Sequence, residues 1–441
     1  MTLTRPTTAR PTTAALTPAR QAALWALPLV LYVAGTIGAL WNGWAVDFSA
    51  LWFAGRFMAE GLPAEVYAAP PHVIGPEIPA SWQAALERTG AGDEQTFPFI
   101  YPPWVAVASV PLTWLSPQAA MNLAHVLNTA MMAGSVWLAW RIAGRGRVPL
   151  WIWMPAGLAL AATTTVQTSA LALGQAQVLV YFLVLLAFER YGAGCAALAG
   201  AILAVAACLK VSPVLFGLVF LIDGNRRALV AFVATGLAVT LGSVAALGWE
   251  IHTLYLDRLS AISGTIYVSF FAWSVETWLF EVTGLIEGWA PPREPTGLLH
   301  GEKPAWIATT AQILLATALA VIWACARRVD PADRAAYALT AMAFAVPLFM
   351  PLGWGHYYIL GLVLLPGAVA VLPPRVTVLM VLGVGLATSV PLNTALFSQT
   401  GRAFPQILLV VPVMLAVTVA LIAAPLAHDL RSRPAGVQPA E

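Results

Sequence analysis

The stretch AALWALPLVLYVAGTIGALW, residues 22–41, leads within a few residues into DFSALWFAGR, residues 47–56, and the two together decide the fold. The first is an unbroken apolar run of the length that a bilayer's hydrocarbon core demands, about 20 residues. The second sets a lone carboxylate, Asp47, at the start of a short amphipathic helix at the membrane surface. A charged group at that depth is expensive unless it is used. Phe48, Leu51, Trp52, Gly55 and Ala59 share one face of this helix at helical spacing. Arg56 lies roughly 180° around the helix from Asp47 by the 3.6-residue turn. Its natural partner is therefore Glu60, one turn on.

The rest of the chain repeats the first run. Of 441 residues, 60% are hydrophobic and 10% charged, where a soluble domain has about 25% charged. Apolar runs near 22–41, 119–140, 149–167, 174–189, 193–209, 211–223, 228–248, 306–326, 334–352, 355–372, 376–391 and 405–426 predict an all-α membrane protein of about twelve spans. Residues 102–115 are apolar but short and bracketed by Pro102, Pro103, Pro111 and Pro117, a thirteenth span or a re-entrant or interfacial piece. Counting them as a span would scramble the split of basic residues below, so they are taken as non-crossing. A single transmembrane domain over 21–426 is expected between a disordered cytosolic tail, 1–20, and a second cytosolic tail, 427–441. The run from residue 22 is too long for a signal peptide and reads as a retained anchor. Cys195, Cys208 and Cys325 fall inside apolar spans, as small hydrophobes would, and suggest neither disulfide nor metal. The net charge of +2 resides in short loops and gives no reason to expect nucleic acid.

The positive-inside rule orients the spans. With the amino terminus cytosolic, 15 of the 22 basic residues fall on the inner side, in short loops and tails. The outer side receives two long segments, 42–118 and 249–305, and 14 of the 20 acids. These segments are expected to form short helices lying on the bilayer and capping a cavity between the spans.

Several polar residues sit at the outward ends of separate spans. Asp47 follows the first. Gln175 and Gln177 open the fourth, in Gly174-Gln-Ala-Gln177. Lys210 lies between the fifth and sixth, in Lys210-Val-Ser-Pro213. Trp354, His356, Tyr357 and Tyr358 lie between the ninth and tenth, in Pro351-Leu-Gly-Trp-Gly-His-Tyr-Tyr358. Polar residues gathered at one level imply a shared site near the outer leaflet. Each has a purely structural alternative: Asp47 as an N-cap, Lys210 snorkelling to headgroups, the glutamines satisfying neighbouring helices, the aromatics forming an interfacial belt.

The Asp47–Arg56 run, continued by Gly61 and Tyr67, resembles the first outer loop of glycosyltransferase family 87. Tyr101-Pro-Pro, Gly174-Gln, Lys210-Val-Ser-Pro and the Pro351–Tyr358 motif match further elements of that family in the same order. The resemblance covers about residues 20–420. It implies a GT-C-type helical bundle and an inverting membrane enzyme. Such an enzyme moves a hexose, mannose above all, from a polyprenyl-phosphate-sugar donor to a glycan or glycolipid acceptor. It would act on the extracytoplasmic face of a bacterial plasma (inner) membrane. It implies Asp47 as the catalytic base. A departure lies at Trp273-Ser-Val-Glu-Thr277, where related members carry an Asn/Gln/Ser-rich stretch and this chain has Glu276. The chemistry is coherent: a carboxylate takes the acceptor hydroxyl's proton, and cations meet the charge growing on the departing phosphate. Lys210, His356 and Arg56 are the candidates for the second task, and Gln175, Gln177, Trp354, Tyr357, Tyr101 and Glu276 for substrate contacts. No Asp-x-Asp pair stands in the outer loops, so neither a metal nor another cofactor is expected. A transporter or flippase of lipid-linked sugars is the rival reading, but it calls for charges or broken helices at mid-span, and the span middles are nearly charge-free. A ligase or polymerase attaching a preassembled glycan would use the same face.

Overall fold

The computed structural model describes residues 17–289, 297–397 and 403–432, with side chains as far as Leu426. The expected tails fall largely outside these residues. Where they fall inside, both are helical. The first helix begins at Pro18, with Thr17 Oγ1 accepting from the Arg20 amide, and the last runs on to Ser432.

Helices form where the apolar runs predict them. The amino-terminal part holds α1 (Pro18–Leu40), α2 (Val46–Ala59), α3 (Ala80–Arg88), α4 (Pro103–Ala108) and α5 (Pro117–Ala139). Next come α6 (Leu150–Thr163), α7 (Thr165–Ala172), α8 (Gln177–Gly192), α9 (Ala196–Leu209), α10 (Leu218–Ile222) and α11 (Arg226–Leu247). The segment 249–305 holds α12 (Trp249–Gly264), strand β1 (Thr265–Val268), α13 (Val275–Glu287) and strand β2 (Leu299–Glu302). The chain closes with α14 (Ala305–Ala326), α15 (Pro331–Phe349), α16 (Ile359–Leu364), α17 (Pro374–Ala387), α18 (Val390–Phe397) and α19 (Pro405–Ser432). β1 and β2 pair antiparallel, Thr265 opposite Glu302.

Every expected span contains helix, yet the count of twelve is not reached by full-length crossings. Among the described residues four helices are long and apolar enough to cross a bilayer: α1, α11, α14 and α19 as far as Leu426. A fifth candidate is the pair α7 and α8, bent by 117°. α6 and α9 have 14 residues and α8 has 16; at 1.5 Å per residue none reaches the ~30 Å of hydrocarbon. α5 is long enough but carries Asn122, His125 and Asn128. α4, at six residues, is far too short to cross, in keeping with a non-crossing 102–115 piece. The long helices show apolar flanks outward: Val230 and Leu241 on α11 are about two-thirds exposed. A belt of that kind in contact with water would be ruinous, so it meets lipid and the chain is a membrane protein. Cys195, expected within a span, is exposed at the turn before α9, because the helix starts one residue later.

The segment 42–118 packs into a core of its own. Eight residues of α2 are buried, Ser49 to Gly55 and Phe57, so the helix is not amphipathic in its surroundings. It forms the middle of a second apolar core, distinct from the core of the spans, with α3, α4 and α12 around it. Trp82 of α3 is fully enclosed and lies 5.4 Å from the Phe57 ring. The sequence clusters aromatic residues here because rings supply large buried area in a short segment.

Helix direction separates two ends of the molecule. α8 starts and α9 finishes beside Asp47, and α15 runs up to the Pro351–Tyr358 motif. At their opposite ends charges pair: Arg141 and Arg190 with Glu189 (2.6 and 2.5 Å), Arg147 with Asp333 (2.5 Å) and Arg334 with Asp223 (3.9 Å). These arginines all belong to the set expected on one side of the membrane.

α2 is seated by Gly55. A Cβ there would lie 2.6 Å from the Ser109 carbonyl oxygen and 2.7 Å from its carbon, both backbone. Gly55→Ala should therefore cost about 1–3 kcal/mol, read as a lower Tm of the purified protein in detergent. An unchanged Tm would show that the contact does not hold α2 in place.

Candidate active site

Asp47 occupies the first turn of α2 but does not cap it. The cap position is Ala45, with no side-chain bond. The amides of Asp47 and Phe48 instead donate to the Leu173 carbonyl, at 3.0 and 3.3 Å, and that of Ser49 to the Ala45 carbonyl, at 2.8 Å. Relieved of capping, the carboxylate is held from outside its helix: Gln175 Nε2 donates to Asp47 Oδ2 at 2.5 Å. Both contacts come from one turn, Leu173–Ala176, where the chain folds sharply between α7 and α8. Gly174 makes the turn possible. Its φ is +66°, a conformation that favours glycine, and a Cβ would lie 2.7 Å from the Phe48 Cβ and 2.8 Å from the Ala45 Cβ.

Lys210 closes α9 at its carboxyl end, where the helix dipole favours a cation; Asp47, near an amino end, has the matching preference. The Lys210 ammonium lies 4.4 Å from the Tyr357 ring centre, within cation–π range. The Pro351–Tyr358 motif is tied to the segment before α13. Trp273 donates its amide to the Gly353 carbonyl (2.7 Å) and Gly355 its amide to the Phe271 carbonyl (2.8 Å). Tyr181 Oη holds the Tyr357 carbonyl, at 2.9 Å, and Tyr358 Oη reaches the Trp273 carbonyl, at 2.7 Å. Tyr358 thus serves the fold, while Tyr357 and His356 border open space. Leu352 takes a positive φ, +57°, at the cavity wall; strain of this kind gathers at functional sites.

These groups enclose one cavity of about 310 Å³. Asp47, Tyr101, Gln175, Lys210, His356 and Tyr357 line it with Trp354, among mostly apolar residues. Gln175 Oε1 and His356 Nδ1 are buried without a hydrogen-bond partner among the described residues. Asp47 is half-buried and lines this cavity. Burial pushes its carboxyl up to about 7, against the pull of Lys210 and of the Gln175 amide. Burial likewise pushes the Lys210 ammonium down to about 7, opposed by Asp47. A carboxyl and an amine poised near neutrality in one enclosed site can exchange protons with a substrate. Among the described residues no three of His, Cys, Asp and Glu gather as a metal-binding group would.

Residues 99–351, more than half of the chain, match the family model of glycosyltransferase family 87. The protein belongs to that family. It is a membrane glycosyltransferase, and so works on a sugar donor and an acceptor. No curated protein matches the chain. The family segment includes Tyr101, Gln175 and Lys210. Asp47 precedes it and is joined to it by the Gln175 bond and the Leu173 carbonyl.

Three residues expected at the site of this family 87 protein lie elsewhere. Arg56 is on the far surface of α2, paired with Glu60 at 2.5 Å, as its position on the helix predicted. Gln177 is fully buried at the start of α8 and does not line the cavity. Glu276 is buried against Lys303 at 2.8 Å, so it answers a cation of its own segment, 249–305. Conversely, Phe97, Ser269, Phe270 and Phe271 line the cavity without any motif to mark them.

Gln175 donates to the charged form of Asp47 and so holds the carboxyl lower than burial alone would. Gln175→Leu should move the acid limb of the pH–rate profile about one unit toward higher pH. An unmoved limb would separate Gln175 from the titrating group.

Proposed function

We propose that this protein is an inverting transferase that moves a hexose, mannose in our reading, from a polyprenyl-phosphate sugar to a glycan or glycolipid acceptor. The observation that carries the reading is the pairing of Asp47, held by Gln175, with Lys210 across one enclosed cavity. Asp47 takes the proton of the acceptor hydroxyl as its oxygen attacks the anomeric carbon. The bond from that carbon to the phosphate oxygen breaks, and the phosphate leaves with the electron pair. Lys210 meets the charge that grows there, and the Tyr357 ring keeps the ammonium in place. His356 and Tyr101 border the same space and would contact sugar or phosphate. The reading assigns no metal, the leaving-group charge being met by Lys210.

The wider frame is proposed on the same footing. The helices of residues 21–426 form one GT-C-type domain in which about twelve segments enter the membrane, several of them short or broken. The arginine-rich end faces the cytosol with both termini, and the Asp47 cavity opens on the outer side of a bacterial plasma membrane. The separation of the two charge sets along α8, α9 and α15 supports that orientation.

Asp47→Asn should lower kcat by at least about a hundredfold while expression and detergent extraction stay normal; retained turnover would refute the base. In the wild type, activity requires Asp47 deprotonated, so it rises with pH through about 7. It also requires Lys210 protonated, so it falls above about 7. The resulting bell belongs to the pair. A bound phosphate anion raises both values, so the limbs of kcat should lie at higher pH than those of kcat/KM. Lys210→Ala should raise the donor KM or lower kcat about tenfold or more with the acceptor KM unchanged. Unaltered donor kinetics would remove Lys210 from the phosphate.

A further inference from the structure

A second pocket, of about 340 Å³, lies against the wall of the first. Phe270 lines both. Two helices break beside it: α6 gives way to α7 at Thr164, and α17 to α18 at Thr388 and Ser389. The broken ends join, with Thr164 bridged antiparallel to Ser389 and the Thr165 amide donating to the Thr388 carbonyl at 2.7 Å. Non-helical backbone among apolar spans is tolerated where it is buried in protein or lines a wet cavity.

The lining is uncharged, a mainly apolar surface of Phe270, Phe397, Ala172 and Val390 set with a few polar groups. Thr165, Thr168, Ser169, Asn393 and Thr394 supply hydroxyls and an amide, and no ionisable side chain takes part. Thr168 and Ser169 spend their protons on the Thr164 and Thr165 carbonyls, which leaves their oxygens free to accept. Asn393 is 5% exposed. Its Nδ2 donates to the Ala387 and Ser389 carbonyls at 3.1 and 3.0 Å, and its Oδ1 is buried without a partner among the described residues, as is Thr165 Oγ1. Phe270 and Phe397 meet edge to face there, with ring centres 4.9 Å apart.

Unpaired buried acceptors call for a donor. With no cation present the pocket is unsuited to phosphate, and with no carboxylate it is unsuited to an amine. Neutral hydroxyls beside aromatic carbon suit a ring with hydroxyl groups on its rim and C–H bonds on its faces. We propose that this pocket binds a neutral sugar residue of the acceptor glycan, next to the ring that receives the transferred hexose. The assignment rests on the transferase reading and deepens it by giving the acceptor a binding site of its own.

Two variants test it. Thr165→Val removes one unpaired hydroxyl and leaves the backbone bond to Thr388 in place. Thr394→Trp fills the pocket from an exposed position. Both should purify and melt like the wild type. With labelled polyprenyl-phosphate mannose and a titrated total membrane extract as the acceptor source, the acceptor KM should rise about fivefold in Thr165→Val and more than about tenfold in Thr394→Trp, with the donor KM unchanged. Turnover with an unchanged acceptor KM in both variants, or a raised donor KM instead, overturns the proposal. Calorimetric titration of the intact protein with mannobiose, maltose and cellobiose answers separately. Binding to the wild type that Thr394→Trp abolishes supports the site even where no transfer is detected. No binding of any of the three overturns it.

Discussion

The site depends on one turn. Leu173 offers a single carbonyl to two amides of the first turn of α2, and Gln175 reaches from the same turn to the Asp47 carboxylate. These contacts link α2 to the sharply bent α7–α8 pair. They also explain why Asp47 is not a cap. Its backbone partner lies on another element, so its side chain is left for the cavity. A glycine at position 174 is the local condition, since any Cβ there would collide with Phe48 and Ala45.

Burial then gives the two charges their chemistry. Asp47 and Lys210 share an enclosed and largely apolar volume, and desolvation is the largest influence on each. Each moves toward neutrality from its own side, whereas exposed counterparts would stay fully charged. The pockets divide the labour by polarity. The first holds the ionisable groups and the second holds hydroxyls and an amide among aromatic and aliphatic carbon, with Phe270 lining both.

The sequence made the helices and the level of the site legible because hydropathy runs end where polar residues must find water or one another. Gln175, Lys210 and His356 each close or open an apolar run, and they meet. Long-range pairings were not legible. Nothing local ties Gln175 to a carboxylate 128 positions earlier, or tells Gln175 from the equally polar Gln177, which faces protein instead. The aromatic residues of 42–118 suited a membrane interface as well as a core, and only the packing of Trp82 on Phe57 decides between them. The helix breaks at Thr164 and Thr388 escaped hydropathy because threonine scarcely lowers it, although its hydroxyl can bond back to the carbonyl four residues earlier and help end a helix. Glu276 did leave a signal. An acid in an apolar stretch requires a counter-charge, and Lys303 lies in the same segment between spans.

The most direct test of the central claim is the anomeric configuration of the product. Purified protein would be given a polyprenyl-phosphate hexose labelled in the sugar, together with a total membrane extract, and the new linkage read by NMR. A single carboxylate base acting against a phosphate leaving group predicts a labelled glycan or glycolipid whose anomeric centre is inverted relative to the donor. Retention of configuration, or label that crosses a liposome membrane with no new linkage formed, would contradict the account.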